Sequence, residues 1–369
     1  MSLNRRTFLK SAGLAAVAAP FARPSFADPV VFAPQPGPAR SFELVTRFEI
    51  ANLKGAARVW IPAPSRDFGN WFWVRGTFFS SNANDAALRT DPGSGATFVE
   101  ASWTGETAPV LEVVSRFSTR DRAVDAGAAS ASVEPLSDIE RAEFIRATKF
   151  VPLAGIVKET SDKIVQGQST DLGKVRAIYE WVVDHTYRDG KVRGCGAGDV
   201  VGMLKAGSAA MGGKCADINP LFVGLARAQG IPARDLYGIR VAPSQFGYKS
   251  LGPSTPTVTK AQHCRAEVYL TGIGWVPMDP ADVRKVALEE PPGNLDMMSE
   301  KVLAARKALF GAWETNWVPY NSAQDVRLSQ SEDSIAFLMY PQAEVGGVML
   351  DCLNPDTFKY TITAHEISV

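Results

Sequence analysis

The sequence predicts an α+β protein in which a helix-borne cysteine packs on an antiparallel sheet, with a β-sandwich-like domain ahead of it. Three observations carry that expectation. Between residues 41 and 120 apolar side chains recur with a period of two, interrupted by clusters of Asn, Asp, Gly and Pro. Behind Gly212-Gly213-Lys214-Cys215 the period changes: Leu221, Phe222, Leu225 and Ala226 recur at three- and four-residue spacing, and Gly230-Ile231-Pro232 stops the helix. Beyond Pro232 the strand pattern returns.

Residues 1–27 read as a signal and not as part of the fold. Asn4-Arg5-Arg6-Thr7-Phe8-Leu9-Lys10 has the twin-arginine pattern, a small-residue stretch runs from Ser11 to Ala19, and Ser25-Phe26-Ala27 fits a small-x-small cleavage site. The apolar stretch is far shorter than the roughly 20 residues of a spanning helix. The expected product is therefore periplasmic or otherwise exported by the twin-arginine route, with no membrane insertion after signal removal. Thirty-nine basic and thirty-nine acidic side chains balance over the chain, and residues 1–27 hold four of the bases and none of the acids. The remainder thus has a formal excess of four acids, which points to no nucleic-acid partner.

Within the remainder, strands are expected at 42–50, 57–61, 71–79, 98–103 and 110–117, the spacing of a sandwich over residues 28–135. That region contains neither His nor Cys. A core domain follows over 136–290. It opens with helical material from about residue 139, then an amphipathic helix over 172–185 with Val175, Ile178, Tyr179 and Val182 on one side. A short helix at 200–204 precedes the Cys215 helix, and strands follow at 236–241, 265–270 and 275–278. The loop at 242–259, rich in Pro, Ser, Gly and Thr, is of the kind that borders binding sites. Residues 291–369 form an extension with a helix at 299–309 and strands near 335–340, 347–350 and 358–367.

The chemistry centres on Cys215. A thiol on the first turn of a helix meets unpaired N–H groups and the positive end of the dipole, which favour the nucleophilic thiolate. It needs a partner to take up and return a proton, and there are three histidines. His185 ends a helix and His365 lies on the polar side of the last strand, whereas His263 opens a strand after the long loop. The turn Thr271-Gly272-Ile273-Gly274 makes a hairpin that brings His263 and Asp279 to one end, where the carboxylate can orient the imidazole. The expected catalytic set is Cys215, His263 and Asp279, with Asp282 second in line for the carboxylate. The Cys215 N–H is a natural oxyanion donor, and Gln262 is a second donor only by its proximity to His263. Asp217, about 200° around the helix from Cys215, is expected to serve the first turn and not the chemistry.

Cys264 reads as a core thiol, and one disulfide from Cys195 to Cys264 or Cys352 stays open. No cofactor or metal is expected. Cys195, Cys215, His263 and Cys264 lack the short spacing of zinc ligands, and adjacent strand residues point to opposite faces.

In these blocks the chain resembles the transglutaminase-like superfamily, whose fold is related to papain-like cysteine proteases. The matching residues are Gly213-Lys214-Cys215-Ala216-Asp217, Leu225-Ala226-Arg227-Ala228-Gln229-Gly230-Ile231-Pro232-Ala233-Arg234, His263-Cys264-Arg265-Ala266-Glu267-Val268-Tyr269 and Gly274-Trp275-Val276-Pro277-Met278-Asp279-Pro280. Tyr179-Glu180-Trp181-Val182 fits the helix that precedes them. The resemblance implies a papain/transglutaminase-like core with Cys215 as nucleophile, His263 as base and acid, and Asp279 as orienter. Arg265 stands where many members have an aromatic residue, which implies a more polar substrate wall. Nothing resembles an oxygen-ligand calcium loop, so calcium-activated crosslinking is not implied.

The expected function is an exported thiol enzyme that cleaves or transfers a peptide or protein amide through a thioester, with hydrolysis favoured over crosslinking. The alternative is a non-catalytic binding or assembly module on the same fold. Substrate identity and oligomeric state are not encoded in any pattern of the sequence.

Overall fold

The computed structural model describes residues 31–50, 55–105, 108–130, 133–207, 210–328 and 334–368, so the expected signal at 1–27 lies outside the described residues. In Arg40–Ile50 the period-two expectation is met in detail, with Phe42, Leu44, Thr46 and Phe48 buried. This strand pairs antiparallel with Leu111–Thr119 on one side and Phe358–Ile367 on the other, and Phe72–Ser81 completes a four-stranded sheet. A second, five-stranded sheet runs in the order Val348–Met349, Gln342–Val345, Ala57–Pro62, Thr97–Trp103, Asp85–Thr90. Phe48, Leu111, Val113 and Phe358 from the first sheet share one apolar cluster with Val59, Ile61, Val99 and Trp103 from the second. The two sheets are therefore the layers of a sandwich.

The C-terminal segment supplies strands to both layers, although local periodicity shows it only as an extension. Strand pairing between residues some 300 positions apart leaves no mark in a local pattern. Asp85–Thr90 was not expected as a strand: it is an edge strand whose side chains are mostly exposed, so alternation is missing.

The core that carries the site is a four-stranded antiparallel sheet in the order Gly274–Met278, Gln262–Leu270, Ala233–Arg240, Trp317–Asn321. Helix Cys215–Arg227 packs on it, and all thirteen of its residues are buried. A helix buried all round needs apolar or internally satisfied side chains on every face. Leu221, Phe222, Val223 and Leu225 meet that need, each worth about 1.5–3 kcal/mol of apolar burial. Asp171–His185 packs beside it, with Thr170 capping its start through the Gly173 N–H at 3.1 Å.

Strand Gln262–Leu270 is buried at every position because it has a strand on each side and the helix above. Gly238 lies opposite His263 in the neighbouring strand, and a Cβ there would stand 1.9 Å from the Val318 carbonyl oxygen. The close approach of Trp317–Asn321 at that point requires glycine. Among the described residues no helix is long and apolar enough to cross a membrane.

Candidate active site

Cys215 opens its buried helix, and the glycine-rich loop at 194–198 is laid across the same end. Asp217 makes that junction. Its carboxylate accepts from the N–H groups of Ala197 at 2.8 Å, Gly198 at 3.1 Å and Lys214 at 3.0 Å. A Cβ at Gly196 would fall 1.9 Å from Asp217 Oδ2, and its φ of +107° is left-handed, so the loop needs glycine here. The Ala216 N–H donates to the Cys195 carbonyl at 2.9 Å, which brings the Cys195 side chain alongside Cys215. The Cys215 N–H remains one of the first-turn donors that no helix satisfies internally.

All four cysteines are free thiols, so neither pairing of Cys195 is formed. The Cys195 thiol instead donates to the Gln262 carbonyl at 3.3 Å. Interaction with the neighbouring Cys195 and Cys264 thiols and with the His263 imidazole outweighs burial and holds the Cys215 thiol well below its ordinary value. Cys195 is pushed up in turn, by its bond to Cys215 and by burial. Burial and Cys215 push Cys264 up in the same way. The charge therefore sits on Cys215 and the protons on its two neighbours.

His263 lies inside its strand, one residue further in than the sequence pattern places it. Its Nε2–H donates to Asp279 Oδ2 at 2.8 Å and has Asp282 Oδ2 at 3.4 Å, leaving Nδ1 as the ring nitrogen free to serve Cys215. Burial and the Arg240 guanidinium push the imidazole down, but Asp282 and Asp279 overcome both and hold it at about 9. A thiolate beside an imidazolium is the resting state that these directions describe.

Asp279 does not close a strand. It is the N-cap of a helix not expected from the pattern, Pro280–Glu289, and its Oδ1 accepts from the Asp282 N–H at 3.1 Å. Pro280 at the first helical position suits a helix start, because its missing N–H would have no partner within the helix there. Asp282, one turn on, receives two bonds at 2.6 Å from Arg240 Nη2. Despite burial, Arg240 and His263 hold it well below the usual carboxylate range. Asp279 is raised by burial and by Asp282, with His263 acting against both. The closer carboxylate to the imidazole is Asp279.

Arg265 is a correction. It does not line the cleft as a polar substrate wall. It shares the inward face with His263, fully buried, with its Nε 3.5 Å from Asp279 Oδ2 and its Nη1 donating to the Glu314 carbonyl at 2.8 Å. Its guanidinium lies over Trp317, 5.0 Å from the ring centre. Trp317 in turn donates to the His263 carbonyl at 2.9 Å.

His185 and His365 stay apart from the site. His185 stacks on Trp181 at 4.6 Å at the end of its helix, and His365 is exposed on the last strand. Among the described residues His263, Asp279 and Asp282 form the one group whose ligand atoms lie within 4.8 Å of one another. Both oxygens of Asp282 are already taken by Arg240, and Arg265 lies against Asp279, so two guanidinium groups supply the positive charge a cation would bring.

Sequence reasoning missed Asn219. One turn beyond Cys215, it donates to the Cys264 carbonyl at 2.9 Å and to Asp279 Oδ1 at 3.2 Å, and it accepts from the Ala281 N–H at 3.2 Å. An amide four residues after the cysteine, beside the apolar run Leu221-Phe222-Val223 of a buried helix, was the available signal. Arg240, at the end of a strand, carried none.

A cleft of about 340 Å³ opens beside Cys215, His263 and Gln262, bordered by Gly252, Pro253 and Val258 of the loop at 242–259.

Comparison with known proteins agrees with this architecture. A family model for the transglutaminase-like superfamily matches residues 158–280. A protein of Haemophilus influenzae, itself described only as uncharacterised, is 36% identical over 347 residues, 89% of this chain and 92% of its own length. A solved structure from Cytophaga hutchinsonii, provisionally assigned as a cysteine protease, superposes with a TM-score of 0.50 at 16% identity, over 90% of this chain and 99% of that chain. The periplasmic domain of TgpA from Pseudomonas aeruginosa gives a TM-score of 0.35 at 16% identity, over 72% of this chain and 92% of its own. At 16% identity the Cytophaga hutchinsonii structure speaks to fold alone. With a cysteine-led helix on an antiparallel sheet, a matching core and a relative alike over nearly its whole length, this chain belongs to the transglutaminase-like superfamily.

Proposed function

We propose that this protein is an exported thiol enzyme that hydrolyses peptide or related amide bonds through Cys215, His263 and Asp279. The observation that carries the reading is the 2.8 Å bond from His263 Nε2 to Asp279 Oδ2, made beside a cysteine at the start of a buried helix that lines a cleft. Export rests on the twin-arginine pattern at residues 4–10.

In this reaction the Cys215 thiolate attacks the amide carbonyl carbon, and the carbonyl π electrons move to oxygen. The Cys215 N–H receives that oxyanion. Gln262 is the second donor: it is buried at the cleft, and its Nε2 has no hydrogen-bond partner. The His263 imidazolium gives its proton to the amide nitrogen, the C–N bond breaks, and an amine leaves behind a thioester. Neutral His263 then takes a proton from water, whose oxygen attacks the thioester and expels the thiolate. An amine in place of water would give transfer; water is the default acceptor.

The test is exposure of the protein without residues 1–27 to a mixed peptide pool, with mass spectrometry of products and of Cys215. Hydrolysed peptides and an acyl adduct on Cys215, both absent in Cys215→Ala, are expected. Unchanged peptides and an unmodified Cys215 would count against the reading.

A further inference from the structure

The cleft beside Cys215 is unevenly charged. The arm of about 340 Å³ is lined by Arg188, Lys214, Arg240, Lys260 and Lys285, and no Asp or Glu lines it. A second arm, about 380 Å³, is lined by Tyr340, Leu353, Pro355, Phe358 and Tyr360 from the C-terminal segment. Both arms are bordered by Gly194, Cys195, Lys214, Lys260 and Gln262, so they meet at the loop that flanks the thiol.

The basic side chains are not all neutralised. Arg240 is spent on Asp282. Arg188 and Lys285 share one carboxylate, Glu289, with Lys285 Nζ at 3.7 Å. Among the described residues no carboxylate pairs with Lys214 or Lys260. The chain as a whole has equal numbers of basic and acidic residues, so this excess belongs to the cleft and not to a generally basic surface. Nor does the thiolate need these cations, since the interactions that lower Cys215 come from Cys195, Cys264 and His263. Low-dielectric walls with charge of one sign concentrate ligands of the other.

We propose that the cleft selects an amide substrate carrying a carboxylate close to the scissile bond, held by Lys214, Lys260 and Lys285, with an apolar residue in the aromatic arm across the thiol. This rests on the thiol-enzyme reading above. The carboxylate can belong to an acidic side chain or to a chain terminus, which share the same chemistry.

Two alkylating agents of nearly equal size test the charge without a known substrate. Iodoacetate is anionic and iodoacetamide neutral, and both modify Cys215. The ratio of their rates at Cys215 should exceed that of a small free thiol by about tenfold at low salt and fall as salt is added. It should drop severalfold in Lys260→Gln and be retained in Lys260→Arg. A ratio equal to the free thiol's, indifferent to salt and to Lys260→Gln while iodoacetamide still reacts fast at neutral pH, would overturn the proposal and leave the nucleophile intact. Slow reaction with both agents, as for an ordinary thiol, would remove the proposal together with the reading beneath it.

Protection against iodoacetamide then separates the two carboxylate sources. An N-acetylated, C-amidated peptide containing Glu is compared with its Gln analogue, and with that Gln analogue bearing a free C-terminus. Stronger protection by either carboxylate peptide is the expected result and names the source. Equal protection by all three would overturn the proposal.

Discussion

Asn219 and Asp279 are joined at 3.2 Å, and through that bond the helix that begins with Cys215 is fixed to the carboxylate that orients His263. The same amide reaches the Cys264 carbonyl on the intervening strand. Nucleophile, imidazole and carboxylate come from three elements, and Asn219 touches or adjoins all of them.

Removing that tie should impair chemistry more than folding. In Asn219→Ala the Asp279 carboxylate loses one partner and the Ala281 N–H another, at about 1–3 kcal/mol for buried groups left unsatisfied. Once a substrate is in hand, kcat should fall by about tenfold or more with KM little changed, as misplacement of a positioned group does. Steady-state kinetics alongside a urea melt separates the two effects.

Asp279→Asn and Asp279→Ala should differ. With His263 protonated at rest, an asparagine carbonyl can still accept the Nε2–H, so Asn should retain orientation while Ala does not. Activity in Asp279→Ala is expected to drop by about 10²–10⁴, the usual worth of an acid–base group, and distinctly less in Asp279→Asn. Both variants should lower the His263 pKa from about 9, because one of its two carboxylates is gone. The C2 proton resonance of His263, followed by NMR against pH, reads this directly.

The stability profile should carry the signature of the ion pair. His263 is raised to about 9 in the folded protein, so taken alone its stabilisation is complete below the unfolded value of about 6.5 and is lost as pH rises through 9. Cys215 is lowered, so its contribution is complete above the unfolded value of about 8.5 and is lost as pH falls. Below about pH 8.5, and above both the unfolded histidine value of about 6.5 and the lowered Cys215 value, the folded pair holds one proton as imidazolium and the unfolded pair holds one as thiol. The two states bind equal numbers of protons and the pair contributes no slope. In Cys215→Ala only the histidine effect remains, so stability should fall by up to about 1.4 kcal/mol per pH unit across that window. Denaturant melts at several pH values would show a plateau for the wild type and a decline for the variant; parallel profiles would contradict the pair.

Gly238→Ala probes the scaffold behind His263. The added methyl would strike the Val318 carbonyl and the Trp317 ring, 1.9 Å and 2.8 Å away. Overpacking costs about 1–3 kcal/mol in side-chain cores, and a rigid backbone neighbour places this site at the upper end. A thermal melt should record the loss, and the displaced strand should also slow alkylation of Cys215.

Much of this was legible in the sequence wherever function coincides with local periodicity. The Cys215 helix, the hairpin behind it and most strands of the first sheet follow from apolar spacing, and the hairpin alone brings His263 and Asp279 to one end. What was hidden depends on long-range packing. No local pattern reveals that the Cys195 thiol reaches the Gln262 carbonyl, or that Arg240 is paired with Asp282. Arg265 was expected at the substrate wall because of what stands there in similar sequences. Its place on the face shared with His263, with tryptophans behind it, turns it inward. Of the C-terminal strands, Val348–Met349 and Phe358–Ile367 fall within expected ones, whereas Gln342–Val345, the partner of Ala57–Pro62, falls in the gap between two expected strands, and no local pattern shows the pairing with residues 40–62.

The thiolate–imidazolium pair is read out by the rate of Cys215 alkylation by iodoacetamide against pH, in the wild type and in His263→Ala. Fast modification through neutral pH is expected in the wild type, and in the variant a profile moved toward the ordinary thiol value of about 8.5, with a loss of about tenfold at pH 7. A slow wild-type reaction with an ordinary thiol profile, unchanged by the substitution, would contradict the thiolate–imidazolium pair and favour a binding or assembly module on the same fold.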